Sequence, residues 1–322
     1  MPQANPSPLS GRPLSSSEPA GPAVAEWSER GVGQNWQHRF FHGLIRLLGK
    51  RPAYQMAYIV TFGYVLFYPG VRRRARFYLE HRFPERHGLI RRFLDTYRLL
   101  RNFARTLVDM AALGILGRRS LIATSPDRAR LLSLGEGNRG FVLLNAHVGS
   151  WQLGLVALEE FRRSVSLVMV PDPKLQTLLG TTAVKTIDPR TGLQGVLEMT
   201  QALLQGEIVG LMGDRTFGDE QNTVNVQFLG GQVALPVSSY RLASAAGVPV
   251  AVLMTAKTGY RSYDVRLMRV IEVTPGLGRD ARNYAVYARQ FAEVLEEFVA
   301  QYPWQFYNFY DLWAPAAERG VT

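Results

Sequence analysis

The sequence predicts an α/β protein, a mostly parallel sheet flanked by helices, with a helical region ahead of it. Three observations predict this. After Leu121, short β-like runs alternate with stretches of helical period, the pattern of a parallel sheet wrapped by helices. Before it, from Trp27 to about Leu116, apolar residues recur at helical spacing. The chain has 322 residues and is 47% hydrophobic, enough for one large domain or two small ones.

Taken in order, residues 1–25 are rich in Pro, Ser, Ala and Gly without apolar periodicity, and read as a disordered tail. They lack the basic start and apolar run of a signal peptide. Residues 26–120 read as a helical, membrane-associating region. The chain's formal charge is +11, and 15 Lys/Arg against three acids fall between Arg39 and Arg105, so the excess is regional. The same region holds the uncharged run 56–68, shorter than the roughly 20 residues a spanning helix needs. It reads as an interfacial, re-entrant or buried helix. Phe93, Tyr97, Leu100, Ala104 and Leu107 then form an apolar stripe beside Arg91, Arg98, Arg101 and Arg105. That suits a helix lying on anionic lipid; a core-packing helix with a solvated basic face is the other reading. The cluster Arg72, Arg73, Arg74 and Arg76 next to the oily run favours contact with anionic membrane lipid over nucleic acid.

Residues 121–316 read as the α/β domain. Expected strands are 140–146, 166–170, 183–187, 208–212, 250–256 and 263–273, with helices at 151–162, 191–205, 238–247 and 282–301. Cysteine is absent, which excludes thiolate nucleophiles, disulfides and Cys-based metal sites. A zinc site would need several His or Cys ligands, and the α/β part offers one histidine, so no metal is expected. Gly135–Gly140 matches G-x-G-x-x-G but precedes a strand, where a dinucleotide motif would follow one. There is no phosphate-binding loop and no nucleophile elbow. No cofactor is expected.

That histidine, His147, follows the run Phe141-Val-Leu-Leu-Asn-Ala146 and precedes Gly149-Ser150-Trp151, where a strand ends and a helix begins. Ligands in open α/β sheets bind at such positions, and imidazole is suited to take a proton from a hydroxyl. A buried histidine satisfied by a backbone carbonyl is the alternative. Gln152, in the expected first turn of the next helix, could reach the ring or simply face solvent. Asp214 and Arg215 lie past another apolar strand; they form a structural ion pair, or Arg215 grips a phosphate or carboxylate. The glycines of Val226-Gln-Phe228-Leu-Gly230-Gly231 and the proline of Leu235-Pro236 imply tight turns near a cleft.

In this order the motifs resemble a known family. Asn145-Ala-His147-Val-Gly149-Ser150-Trp151-Gln152 is similar to the HxGNWE signature of the bacterial lipid A biosynthesis acyltransferases, which include lauroyl and myristoyl transferases. Met212-Gly-Asp-Arg215, Phe228-Leu-Gly-Gly231 with Pro236, and Trp304–Trp313 resemble its later blocks, over roughly 27–315. The resemblance implies a glycerolipid-acyltransferase-like fold. It also implies an O-acyltransferase working peripherally on the cytoplasmic face of the inner membrane. Acyl carrier protein or coenzyme A would bring the thioester co-substrate, and a lipid or glycolipid hydroxyl would accept the acyl group. In the family the histidine is the base and an acid five positions later orients it. Carried over, His147 is the base, with Asn145, Gly149, Ser150, Trp151, Asp214, Arg215, Phe228, Gly230 and Pro236 around oxyanion and substrate. The acid position holds Gln152. An amide fixes a tautomer but does not stabilise an imidazolium, so a catalytically silent, carrier- or lipid-binding relative is the competing expectation. Asp214 would supply the missing charge if the fold brings it beside the ring.

Overall fold

The structure, a computed structural model, describes residues 35–136, 139–158, 163–170, 184–215 and 222–314. The tail at 1–25 and the stretch Thr216–Gly218 lie outside them. Helices α1 (Asn35–Leu48), α2 (Lys50–Phe67), α3 (Pro69–Arg82) and α4 (Leu89–Leu116) build the N-terminal region. Proline at the first position of α3 loses no helical hydrogen bond there and marks where α2 must stop. The uncharged run lies in α2. Ala53, Ala57, Thr61 and Val65 recur every fourth residue and are buried, a row of short side chains against which α4 packs. Ile59, Phe62, Leu66 and Phe67 face outward. No described helix is long and apolar enough to cross a membrane.

The arginine stripe of α4 divides. Arg98 reaches Asp95 at 3.3 Å, whereas Arg101 lies over the rings of Tyr58 and Tyr97, and Arg105 over Tyr54. The inner guanidiniums are therefore packed onto aromatic faces.

The remaining elements are β1 (Ile122–Thr124), α5 (Arg128–Ser133), β2 (Phe141–Asn145), α6 (Trp151–Leu158), β3 (Val165–Val168), β4 (Val184–Ile187), α7 (Leu193–Leu204), β5 (Ile208–Met212), β6 (Thr223–Phe228), β7 (Gly231–Pro236), α8 (Ser238–Ala246), β8 (Val250–Lys257), β9 (Ser262–Ile271) and α9 (Ala285–Gln301). The seven-stranded sheet runs β1-β9-β8-β2-β5-β3-β4. Its strand pairs are parallel except β8 with β9. The α/β expectation therefore holds. β2 is central and wholly buried, which is why it reads as an unbroken apolar run where a one-sided strand would alternate.

Three of the described strands were not expected. β1 is three residues long and exposed, too short to carry a pattern. Residues 226–231, read as turns alone, belong to the antiparallel hairpin β6–β7. Its alternation is real, with Val224, Val226 and Phe228 buried, but adjacent glycines draw the eye to the turn. That turn places Leu229 at φ 48° and Gly230 at φ 77°, both in the left-handed region a two-residue hairpin favours.

The N-terminal helices share the core of the sheet. Tyr78 of α3 is buried edge-on against Phe306 and donates to the Pro303 carbonyl at 2.8 Å; Phe83 stacks on Trp304, and Phe103 of α4 meets Tyr307. A second bond between the regions is ionic. Asp109 of α4, fully buried, accepts from Lys50 at 2.9 Å, from Lys257 of β8 at 2.5 Å, from Tyr263 of β9 at 2.5 Å and from Tyr54. Helices and sheet are thus locked by one carboxylate with its acceptor sites filled.

Candidate active site

β2 and β5 are neighbours with Asn145 opposite Met212, and Gly213 extends the ladder by donating to the Asn145 carbonyl at 2.8 Å. His147 stands two residues past Asn145 and Asp214 two past Met212, so parallel register sets the two side by side. A Cβ at Gly213 would come within 2.8 Å of the Phe291 ring, so any other residue at this strand end would have to push that buried ring aside.

His147 Nδ1 lies 2.9 Å from Asp214 Oδ1 and 3.1 Å from Oδ2, and the His147 backbone N–H donates to Oδ2 at 3.0 Å. Asp214 is buried. Burial by itself would raise its carboxyl, but the charge and hydrogen bond of His147, with Arg215 nearby, outweigh it and hold the group below the usual carboxylate range. An ionised carboxylate only accepts, so Nδ1 carries the proton and Nε2 presents a lone pair. The imidazole side chain is 26% exposed, so that second edge is open.

Gln152 does not hold the ring. It is the second residue of α6 and half-buried, and the nitrogen it was expected to contact is taken by Asp214. The five-residue spacing carries it into the helix, while the acid arrives from the neighbouring strand.

The loop carrying His147 is held by the C-terminal segment. Gly149 N–H donates to the Gln305 carbonyl at 2.8 Å and Tyr307 N–H to the His147 carbonyl at 2.8 Å. Gln305 in turn clamps β8: its Oε1 accepts from Lys257 N–H at 2.8 Å and its Nε2 donates to the Lys257 carbonyl at 2.9 Å. Gly149 sits at φ 50°, and a Cβ there would lie 1.6 Å from the Thr255 carbonyl oxygen, so no other residue fits this turn. Its N–H, spoken for by Gln305, is unavailable to an oxyanion, which corrects that part of the expectation.

The other expected residues fall into two groups. Asn145 is buried and accepts from Ala146 N–H at 2.8 Å, closing the strand end; Ser150 is buried and donates to Met110 Sδ at 3.3 Å. Trp151 opens α6 and packs against the core under the sheet. Arg215 lies beside the pair, its guanidinium 5.4 Å over the Tyr310 ring and 3.5 Å from the Tyr307 carbonyl, with a buried Nε that has no hydrogen-bond partner among the described residues. Tyr310 donates to the Asp214 carbonyl at 2.7 Å. By contrast, Phe228 is core, stacked on Trp313, whose indole donates to the Phe228 carbonyl at 3.0 Å; Gly230 is an exposed turn; Pro236 ends β7. The structure gives these three scaffold positions, with no hydrogen bond to His147 among the described residues. Arg74 is exposed and solvated, while Arg72, Arg73 and Arg76 line a cavity described below.

Gln305, Tyr307 and Tyr310 were missed as individual residues. They lie in the aromatic block Trp304–Trp313, visible as a motif but with no period from which to assign roles.

A family model, that of the bacterial lipid A biosynthesis acyltransferases, matches residues 30–314. No curated protein matches. Among solved structures, the 1-acyl-sn-glycerophosphate acyltransferase PlsC from Thermotoga maritima is 12% identical over 79% of this chain and 98% of its own, with a TM-score of 0.38, too loose a likeness to carry an argument.

Proposed function

This chain belongs to the bacterial lipid A biosynthesis acyltransferase family, an acyltransferase of lipid or glycolipid, and from that premise we propose that it is an O-acyltransferase driven by His147 and Asp214. The donor is an acyl thioester on acyl carrier protein or coenzyme A, the acceptor a lipid or glycolipid hydroxyl, and the place the cytoplasmic face of the inner membrane. The observation that carries this reading is the 2.9 Å contact between His147 Nδ1 and a buried carboxylate, with Nε2 left open.

The step follows from those groups. Nε2 takes the proton of the acceptor hydroxyl as its oxygen attacks the thioester carbonyl. The imidazolium that forms is stabilised by Asp214, which also holds the ring in the required tautomer. The tetrahedral oxyanion collapses, forming the ester and expelling the thiolate, which recovers the proton from His147. With the Gly149 N–H engaged, the oxyanion donors are the N–H groups from Ser150 to Gln152 at the start of α6, where the helix dipole also favours negative charge. Arg215, beside the pair and with one nitrogen unmet, is suited to a phosphate of carrier arm or acceptor. The silent alternative rested on the amide at Gln152, and Asp214 supplies the charge that amide lacks.

The test is transfer of radiolabelled acyl groups from acyl carrier protein or coenzyme A to an inner-membrane lipid extract by purified protein. His147→Ala should lower turnover roughly 10²–10⁴-fold, the range of a lost general base. Unchanged transfer by that variant would end the mechanism; the missing lipid in cells lacking the protein would name the acceptor.

A further inference from the structure

Between α3 and the start of α4 lies a cavity of about 440 Å³, lined by neither His147 nor Asp214. Arg72, Arg73, Arg76, Arg86 and Arg92 contribute to its wall, against Glu80 and Asp95. The acids do not neutralise it. Glu80 is shared between Arg76 at 2.6 Å and Arg92 at 3.1 Å, and Asp95 takes Arg86 at 3.3 Å. Arg72 turns onto the carbonyls of Val65 and Leu66 at the end of α2, and Arg73 has no acid within reach among the described residues. Five cations against two anions leave a positive hollow of the size that holds small ligands.

Its surroundings are apolar and exposed. Leu89, part of the wall, is 85% exposed; next to it Ile90 is 78% exposed, and Phe67 and Tyr68, which precede α3, are also open. Phe62 of α2 packs on Phe93, another wall residue, which brings the exposed face of α2 to the same end of the helices. Uncovered aliphatic and aromatic residues around a basic hollow suit a ligand with an anionic head and a hydrocarbon body.

We propose that this cavity binds the phosphate-bearing headgroup of an anionic membrane phospholipid, the surrounding apolar residues entering the acyl region beside it. The proposal rests on the membrane-surface part of the functional reading and sharpens it, from diffuse attraction of basic residues to one site with one occupant. Arg73, Arg76 and Arg92 hold the phosphate; Arg72 and Arg86 are structural, the second lying 3.9 Å over the Phe83 ring. An acidic carrier protein would use the charge but leave the aliphatic rim uncovered, so lipid is the better fit.

The experiment compares two double variants of the full chain that lose equal charge. Arg73→Gln with Arg76→Gln empties the cavity wall; Arg74→Gln with Arg91→Gln removes exposed arginines of the same helices outside it. Both are read by co-sedimentation with phosphatidylcholine vesicles with and without phosphatidylglycerol, and by titration with dihexanoyl phosphatidylglycerol below its micelle concentration. The expected result is one-site saturation of the wild type by the short-chain lipid. The cavity variant should then bind phosphatidylglycerol vesicles at least tenfold more weakly than the control variant. Equal losses in the two variants would overturn the cavity while leaving membrane binding standing. Inorganic phosphate binding as tightly as the short-chain lipid would also overturn it, as would loss of carrier-protein binding instead of lipid binding. A wild type that ignores phosphatidylglycerol vesicles altogether would sink the membrane reading as well. Circular dichroism checks folding; should the double variant unfold, Arg73→Gln alone is read the same way, against Arg74→Gln alone.

Discussion

Asp109 and Asp214 are both buried carboxylates that face basic groups, and they differ in one respect. Asp109 has its acceptor sites filled by Lys50, Lys257, Tyr54 and Tyr263, with both lysine side chains nearly as buried as the acid. Asp214 faces an imidazole whose far edge is open. A closed network has no atom left to offer a substrate, and its use is to hold α2 and α4 on β8 and β9. An open one passes its charge through a ring to whatever arrives. Burial of charge does not distinguish glue from chemistry; the unfilled valence does.

The largest expected effect tests the open pair. Asp214→Asn should lower turnover by as much as about 10⁴-fold, the loss seen when a triad acid becomes an amide, with the circular dichroism spectrum unchanged. A loss under tenfold would mean that the ring works without the charge, and the comparison would fail.

The closed cluster predicts the reverse balance. Asp109→Ala strands two ammonium groups in the core and should cost roughly 3–5 kcal/mol of stability, read from urea unfolding at constant slope. Turnover per folded molecule should change far less than in Asp214→Asn. A variant as stable as wild type but inactive would make Asp109 part of the chemistry.

A smaller effect concerns pH. Burial pushes Lys257 down from its ordinary 10.5 to about 8 against the pull of Asp109, with the nearby charges of Arg105 and Lys50 adding to the drop. Above pH 8 the folded state then sheds a proton that the unfolded chain keeps, so stability should rise with pH. The window closes near the ordinary tyrosine value of 10.0, since Tyr54 and Tyr263, held above it by burial and by Asp109, begin to act in the opposite direction. Lys257→Met should flatten the rise; an equal slope in that variant would assign it elsewhere.

The smallest effect is at Gln152. With Nδ1 taken by Asp214, Gln152→Glu should change turnover by no more than about threefold, well under 1 kcal/mol in barrier. A tenfold gain would restore the position five residues on as the ring's missing partner.

The sequence by itself determined what local pattern encodes. Helical period marked the N-terminal region, apolar runs marked β2, β5 and β8, and the scarcity of histidine singled out His147 at a strand end. The regional charge likewise put arginines beside an oily helix, but did not show that five of them would wall a cavity. Only the tertiary structure decided the partner of the ring. Asp214 follows His147 by 67 residues and reaches it because β2 and β5, far apart in the chain, lie adjacent in parallel register. Periodicity reports which face of an element is buried, but strand neighbours follow from how all the elements pack. The same holds for Asp109, an acid in mid-helix whose significance is set by lysines and tyrosines from three other elements. Gln152 looked like the dyad's second member because chain proximity is readable; the acid that meets the ring is near only in space.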